Sequence, residues 1–452
     1  MAQPTHAADV VHHAERLRGQ GARLLCGAIS DTGGVLRAKA VPAERIETFA
    51  TAGMGASVCW PVFCVDNGLA LTDGLGVVGD LRLTADLECA VVLDNGFAWA
   101  PADVRTQDGA MSPLCWRDVA RRQVQVLAQQ GVTVRAGYEI EFVLFDSQGR
   151  RVGDDIGWPA YGLGPLSSQW MFVDTALERL ADAGLPVDQV HAEYAVGQVE
   201  MSLPPTAPVE AADAVVLART ILGRTARELG LMVSFSPMPF PGGAGNGGHL
   251  HVSFARGDQQ LLSGGSLPGD LTPEGGHMVA GIVAGLPESI AVLAGSVVSA
   301  DRLAPNHWAG PFSCWGVENR EAAVRLVMDT PGNPHGASAE VKCIDGAANP
   351  YLAAGLVLGL AARGLEEEMP LPDPIDVNPF QLTDREAEAA GVRRLPGSLR
   401  TSLELFEKGK RAEAILGPDL HGAVAAVRRK EQESFRDHHS DRYALTRFAW
   451  SA

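Results

Sequence analysis

Apolar and polar positions follow two periods along this chain, and the way they alternate divides it. Over the first hundred residues the periods are short and mixed. Residues 7–20 have helical spacing, and "ARLLCGAISD" and "GGVLRAKAV" predict two strands around a turn at Asp31–Gly34. "PAERIETFATAG" (42–53) predicts a helix with proline at its start and glycine at its end. "APADVRTQDGAMSP" (100–113) is rich in Pro, Gly and Asp and predicts a connection between domains. From Leu114 longer helices alternate with strands. "WRDVARRQVQVLAQQG", "MFVDTALERLADAGL" and "AADAVVLARTILGRTARELG" carry the helical period. "LMVSFSPMPFPGGAGNGGHLHVSF" predicts a strand, a glycine-rich turn and a second strand. "SLRTSLELFEKG" and "AVAAVRRKEQESF" predict C-terminal helices. "YLAAGLVLGLAARGL" (351–365) reads as the longest apolar helical run; it is too short for a bilayer and predicts a buried helix.

Acids interrupt several strand-like segments. In "RAGYEIEFVLFD" (135–146), Glu139 and Glu141 are two apart, so a strand points both to one face. Buried like charges repel and raise one another's pKa, which calls for a cation between them. Glu193 and Glu200 flank "YAVGQV". His249, His251 and Ser253 share a face in "GGHLHVSF", as do Glu340 and Lys342 in "SAEVKCIDG". Taken singly, each has an ordinary reading as a surface glutamate or a core histidine. Jointly, five acids and a histidine predict a pair of divalent-cation sites, with oxygen ligands suiting Mg²⁺ and an imidazole admitting Mn²⁺. Arg302, Arg320 and Arg325 form a second group suited to carboxylate or phosphate, each with a salt bridge as its ordinary alternative. "FPGGAGNGG" (240–248) is no phosphate loop, since it lacks the Gly-Lys-Ser/Thr ending and precedes a strand. Metals with arginines around an open site suit phosphoryl transfer.

Composition narrows the partners. The 452 residues suggest two or three domains, with 46% hydrophobic and 20% charged residues. A net charge of −17 argues against nucleic acid. Seven scattered cysteines suggest reduced thiols, with Cys59 and Cys64 read as packing residues. The N-terminal "MAQPTHAADVVHHAERL" lacks a basic start and apolar run. The expectation is a soluble, cytoplasmic protein without membrane attachment.

With these residues in view, the chain resembles the glutamine synthetase family nearly end to end. The ordered landmarks are "GYEIEFVLFD", "AEYAVGQVEMSL", "GNGGHLHVSF", "RLAPNHWAGPFSCWGVENREAAVR" and "AEVKCIDGAANPYLAAGL". The resemblance implies an α+β fold: a small N-terminal β-grasp domain (1–108), then a catalytic α/β domain (109–452) with a curved, mainly antiparallel sheet. It implies a homo-oligomer of stacked hexameric rings, a dodecamer, with sites between neighbours. It assigns Glu141, Glu193 and Glu200 to one metal and Glu139, His249 and Glu340 to another, two or more Mg²⁺ (or Mn²⁺) per site. Arg302 and Gly245 would take the α-carboxylate end of glutamate. Arg320 and Arg325 would face the phosphoryl group, and His251, Ser253 and Arg325 the ATP. The implied reaction passes through γ-glutamyl phosphate to an amide.

The departures select a branch. Ammonia-using members carry an Asp-Gly-Ser-Ser segment where this chain has "AGMGASVCWPVFCVDNG", and a glutamate six residues after the arginine matched by Arg302, where this chain has Trp308. The chain therefore resembles the divergent branch that joins glutamate to organic amines, with Lys342 and Trp308 on the substrate side. Ser338 and Lys342 stand where the family has arginines. Phe380 replaces the tyrosine that some members adenylylate, so that switch cannot operate. A true glutamine synthetase and a catalytically silent member are the alternatives.

Overall fold

The computed structural model describes residues 7–240 and 242–436. The start of the stretch read for a targeting signal, Pro241 of the glycine-rich turn and the end of the 109–452 span lie outside the described residues.

The first sheet is built from β1 (Leu24–Ser30), β2 (Leu36–Pro42), β3 (Met54–Ser57), β4 (Asp80–Ala85), β5 (Val91–Val92) and β6 (Phe97–Arg105), in the order β2-β1-β6-β4-β3 with β5 on β6. β1 and β6 are parallel and the other pairs antiparallel, a grasp-like arrangement. The helix Ala7–Gly19 buries Val10, Ala14 and Leu17 in the same core, at helical spacing. The β1–β2 turn forms as expected, because Asp31 Oδ1 accepts the N–H groups of Gly33 and Val35 at 2.8 and 2.9 Å. Two expectations are corrected here. Pro42 closes β2, and the helix proper is Ile46–Thr51 after a 3-10 turn at Ala43–Arg45. Residues 100–105 are no connection but the end of β6, the central strand. Burial of Ala98, Trp99, Ala100, Ala102 and Val104 outweighs the effect of Pro101, which sits where the β1 pairing ends.

The second sheet holds β7 (Thr133–Asp146), β8 (Gln189–Ala192), β9 (Gln198–Ser202), β10 (Leu231–Ser234), β11 (Leu250–Arg256), β12 (Gln259–Gln260), β13 (Phe312–Val317), β14 (Ala322–Val327), β15 (Ser338–Val341) and β16 (Arg393–Arg394). Its order is β16-β13-β14-β15-β11-β7-β9-β8, with β10 on β7 and β12 on β11. Among the described residues only β13 and β14 pair in parallel in this sheet, so it is mainly antiparallel.

Helices Trp116–Gln129, Pro208–Glu228, Pro273–Leu293 and Pro350–Glu366 pack with this sheet into one hydrophobic core. The longest apolar helix is Pro273–Leu293, not residues 351–365. Its most apolar window has mean hydropathy 1.5 and is 78% buried inside the protein, against Pro350–Glu366. The two helices meet where Gly281 and Gly364 touch; a Cβ on Gly281 would stand 2.3 Å from Leu360 O. All seven cysteines are free thiols, and Cys64 is buried against the helix Pro418–Ser434.

Candidate active site

Strand pairing at the centre of the second sheet brings the acids together. β7 lies between β9 and β11, and Glu141 pairs with Glu200 while His251 pairs with Glu340 across β15. Gly197, at φ +77°, bends the β8–β9 turn that carries Glu193. The outcome is a cavity of about 1000 Å³ lined by Glu139, Glu141, Glu193, Glu200 and His249, with Gly245, Arg302, Trp308, Arg320, Arg325 and Lys342. Glu340 and His251 are not among the lining residues but lie 3.4 Å from His249 and 3.2 Å from Glu139. Ser253 follows on the same strand but is not among the lining residues.

Two groups of ligand atoms each lie within 4.8 Å of one another: Glu139, His251 and Glu340, and His191, Glu193 and Glu200. His249 lies beside the first group, its Nδ1 3.4 Å from Glu340 Oε1. Arg302 Nη2 donates to its Nε2 at 3.0 Å. A guanidinium only donates, so Nε2 accepts, and Nδ1 carries the proton shared with Glu139 Oε2 at 2.7 Å. In this arrangement the histidine that belongs to the first group is His251, whose Nε2 lies 3.2 Å from Glu139 Oε1. Its Nδ1 meets the Ser338 hydroxyl at 3.1 Å.

The charges show what the site lacks. Burial, joined by the charges of Glu139, Glu141 and Glu193, drives the Glu200 carboxyl well above its ordinary range. Burial also raises Glu141, with His249 and Arg302 opposing. Glu139 resists burial because His249 and His251 hydrogen-bond to it, and it is held well below the usual range. Glu340 is likewise drawn down to about 2 against its burial, mainly by Lys342, whose Nζ lies 2.8 Å from Oε1. Glu139 and Glu340 are thus held down by their neighbours, whereas Glu141 and Glu200 stay raised despite His249, Arg302 and Lys342 nearby. Carboxylates raised by burial and by one another's charge are what a divalent cation relieves, so the donor set fits two hard cations.

Arg302 is only 3% exposed; Nη2 also donates to Lys342 O at 3.1 Å, while the buried Nη1 has no hydrogen-bond partner among the described residues. A substrate carboxylate would satisfy it. Arg325 is held by Glu318 and by Glu340 Oε2 at 3.1 Å, and Arg320 is exposed at the cavity. Trp308 stands at the rim, its ring edge-to-face with Tyr194 at 6.4 Å. Several lining residues are absent from the sequence-based set. His191 and Gln198 are each two residues before a named glutamate, so the alternation that selected Glu139 and Glu141 would have found them. Gln198 Nε2 lies 3.0 Å from Glu141 Oε2, Gly245 O and Asn246 Oδ1. Gly247 carries no such signal. It is needed because a Cβ there would stand 2.5 Å from His249 Nε2, 2.6 Å from Glu141 Oε1 and 2.8 Å from Arg302 Nη2.

Comparison with known proteins identifies the family. The family profile "Glutamine synthetase, catalytic domain" matches residues 113–445. The gamma-glutamylpolyamine synthetase GlnA3 of Streptomyces coelicolor is 41% identical over 428 residues, 92% of this chain and 91% of its own length. The glutamate–methylamine ligase of Methyloversatilis universalis is 28% identical over 403 residues, 86% of this chain and 88% of that one. A solved structure described as a novel glutamine synthase homolog superposes with TM-score 0.85 at 28% identity, over 96% of this chain and 99% of that one. The chain belongs to the glutamine synthetase family of ATP-dependent carbon–nitrogen ligases, within the divergent branch that includes these amine ligases.

Proposed function

We propose that the protein joins the γ-carboxylate of glutamate to an organic amine with an apolar body. The observation that carries this reading is the rim of the cavity. Trp308, edge-to-face with Tyr194, presents aromatic surface at the position where the family resemblance puts a glutamate in ammonia-using members. The names of the polyamine and methylamine relatives support it.

Arg302, with its unpaired Nη1, takes the α-carboxylate of glutamate, and the Gly245 backbone closes on the same end. Glu141, Glu193, Glu200 and His191 would hold one divalent cation and Glu139, Glu340 and His249 or His251 another; these ions supply charge neutralisation at the phosphates. Arg320 and Arg325 add positive charge where the phosphoryl group transfers. An oxygen of the γ-carboxylate bonds to the γ-phosphorus of ATP, the bond to the β–γ bridging oxygen breaks, and ADP departs. The amine nitrogen then adds its lone pair to the γ-carbon and loses a proton. The bond to the phosphate oxygen breaks, leaving the amide.

The aromatic rim contributes by covering the amine. Each methylene buried there contributes about 0.8 kcal/mol, roughly fourfold in kcat/KM. It gives no help in deprotonating ammonium. We infer cytoplasmic action in assembled rings: none of residues 54–66 lines the chain's own cavity, and the turn Trp60–Val62 packs on Pro418–Ser434 instead, which leaves this segment to a neighbour's site.

The test is glutamate-dependent phosphate release with ammonium against alkyl-, hydroxyalkyl-, poly- and arylamines, on material separated by size. The best organic amine should exceed ammonium in kcat/KM by at least about tenfold. Trp308→Ala should reduce amine use far more than γ-glutamyl phosphate formation. A clear preference for ammonium would make the protein a glutamine synthetase, and a fully active monomer would refute the shared site.

A further inference from the structure

The loop that carries Trp308 is held by one buried carboxylate. Asn306 and Trp308 both have left-handed backbone, at φ 64° and 53°. A bulky residue adopts that region only with outside support. The support is Glu321, 5% exposed on the segment leading into β14. Its Oε2 accepts the Asn306 N–H at 3.0 Å and its Oε1 the Trp308 N–H at 2.7 Å. Glu321 is itself fixed. Its N–H donates to Asn319 Oδ1 at 3.1 Å, and Asn319 Nδ2 donates to the carbonyls of Ile375 and Val377 at 2.8 and 3.0 Å. From the other side, Asn378 Nδ2 donates to Asn306 Oδ1 at 2.9 Å.

This scaffold sets the tryptophan and leaves its ring bare. Trp308 is 49% and Tyr194 59% exposed, and both line the cavity. Packing therefore does not fix the ring; the backbone does. The two carboxylate bonds hold the left-handed turn, and the Trp308 ring stands at 74° to the Tyr194 ring.

We propose that Glu321 is a positioning residue for amine selection: through the Asn306 and Trp308 N–H groups it holds Trp308 against Tyr194, and these two rings form the wall that selects the apolar body of the amine. This rests on the amine-ligase reading above. A carboxylate serving stability alone has no reason to spend both oxygens on the two strained residues of the rim.

The experiment measures KM and kcat for butylamine, putrescine, aniline and ammonium in the assembled wild type, Glu321→Ala, Trp308→Ala and the double variant. Glu321→Ala should raise the KM of the best organic probe at least about tenfold while the KM for glutamate and for ATP moves less than about twofold. The double variant should lose no more than Trp308→Ala, because Glu321 acts through that ring. Glu321→Gln, which keeps one acceptor oxygen and nearly the same volume, should be intermediate; it carries the test if the alanine variant does not fold. An unchanged amine KM in a folded Glu321 variant, a loss that multiplies with Trp308→Ala, or an equal rise in glutamate KM overturns the proposal. If the wild type uses none of the organic probes, the amine-ligase reading fails and this falls with it.

Discussion

Replacing Gly247 with alanine would add one carbon at the point where three functional side chains converge. The backbone there is not left-handed, so alanine is conformationally allowed and the effect is steric. To reach the 3.4 Å of ordinary contact, His249 Nε2 must retreat by about 0.9 Å, Glu141 Oε1 by about 0.8 Å and Arg302 Nη2 by about 0.6 Å. All three contacts are side-chain ends that line the cavity, so they can move aside only by leaving their places in the site. Overpacking of this kind costs about 1–3 kcal/mol of stability, which a domain with so large a core tolerates. Catalysis is less forgiving, because a misplacement near 1 Å costs on the order of 100-fold in rate. The expected result is a folded protein with kcat lowered about 100-fold and a modestly lower Tm. Glutamate-dependent phosphate release and thermal unfolding measure the two. Turnover within about threefold of wild type in a folded Gly247→Ala variant would refute the convergence of these three groups on the reaction.

Two further outcomes are expected. Burial and neighbouring acids raise Glu200 in the folded state, so its contribution to stability is lost as pH rises above the unfolded carboxylate value; Glu200→Gln should be more stable than wild type at pH 7 in chelator. Mg²⁺ should then raise the Tm of wild type more than that of the variant, which keeps only the Glu139–Glu340 group whole, and an equal rise in both would sink the assignment of Glu200 to a metal. Asp31 is raised by burial from 3.8 to about 6 despite Arg37, so the folded chain holds more protons between those values and loses stability as pH rises through that window. The stability of Asp31→Asn relative to wild type should therefore improve by about 2 kcal/mol between pH 4 and pH 7, read by denaturant unfolding, and a difference independent of pH would contradict it.

Local pattern carried the acids but not their company. Period-2 alternation put Glu139 with Glu141 and Glu340 with Lys342 without reference to any other strand, because the pleat alone decides which face a side chain takes. The same rule, applied to His191 and Gln198, reaches two residues left out of the first set. It also placed the helices in sequence, with Trp170–Asp182, Pro208–Glu228 and Leu399–Lys408 falling on segments of helical period. It failed at β6, where burial between β1 and β4 kept a proline-containing segment extended, and at Pro273–Leu293, whose apolar length is legible only as a core helix once the sheet covers it. Tertiary structure decided the rest. The tautomer of His249, with Nε2 accepting and Nδ1 facing Glu139, depends on Arg302, 53 residues away in sequence. The need for glycine at 247 arises from three side chains on other segments. The pose of Trp308 depends on Glu321 across a turn. A period records only the face a residue takes on its own element, whereas hydrogen bonds, steric limits and pKa shifts depend on atoms that folding brings from elsewhere in the chain.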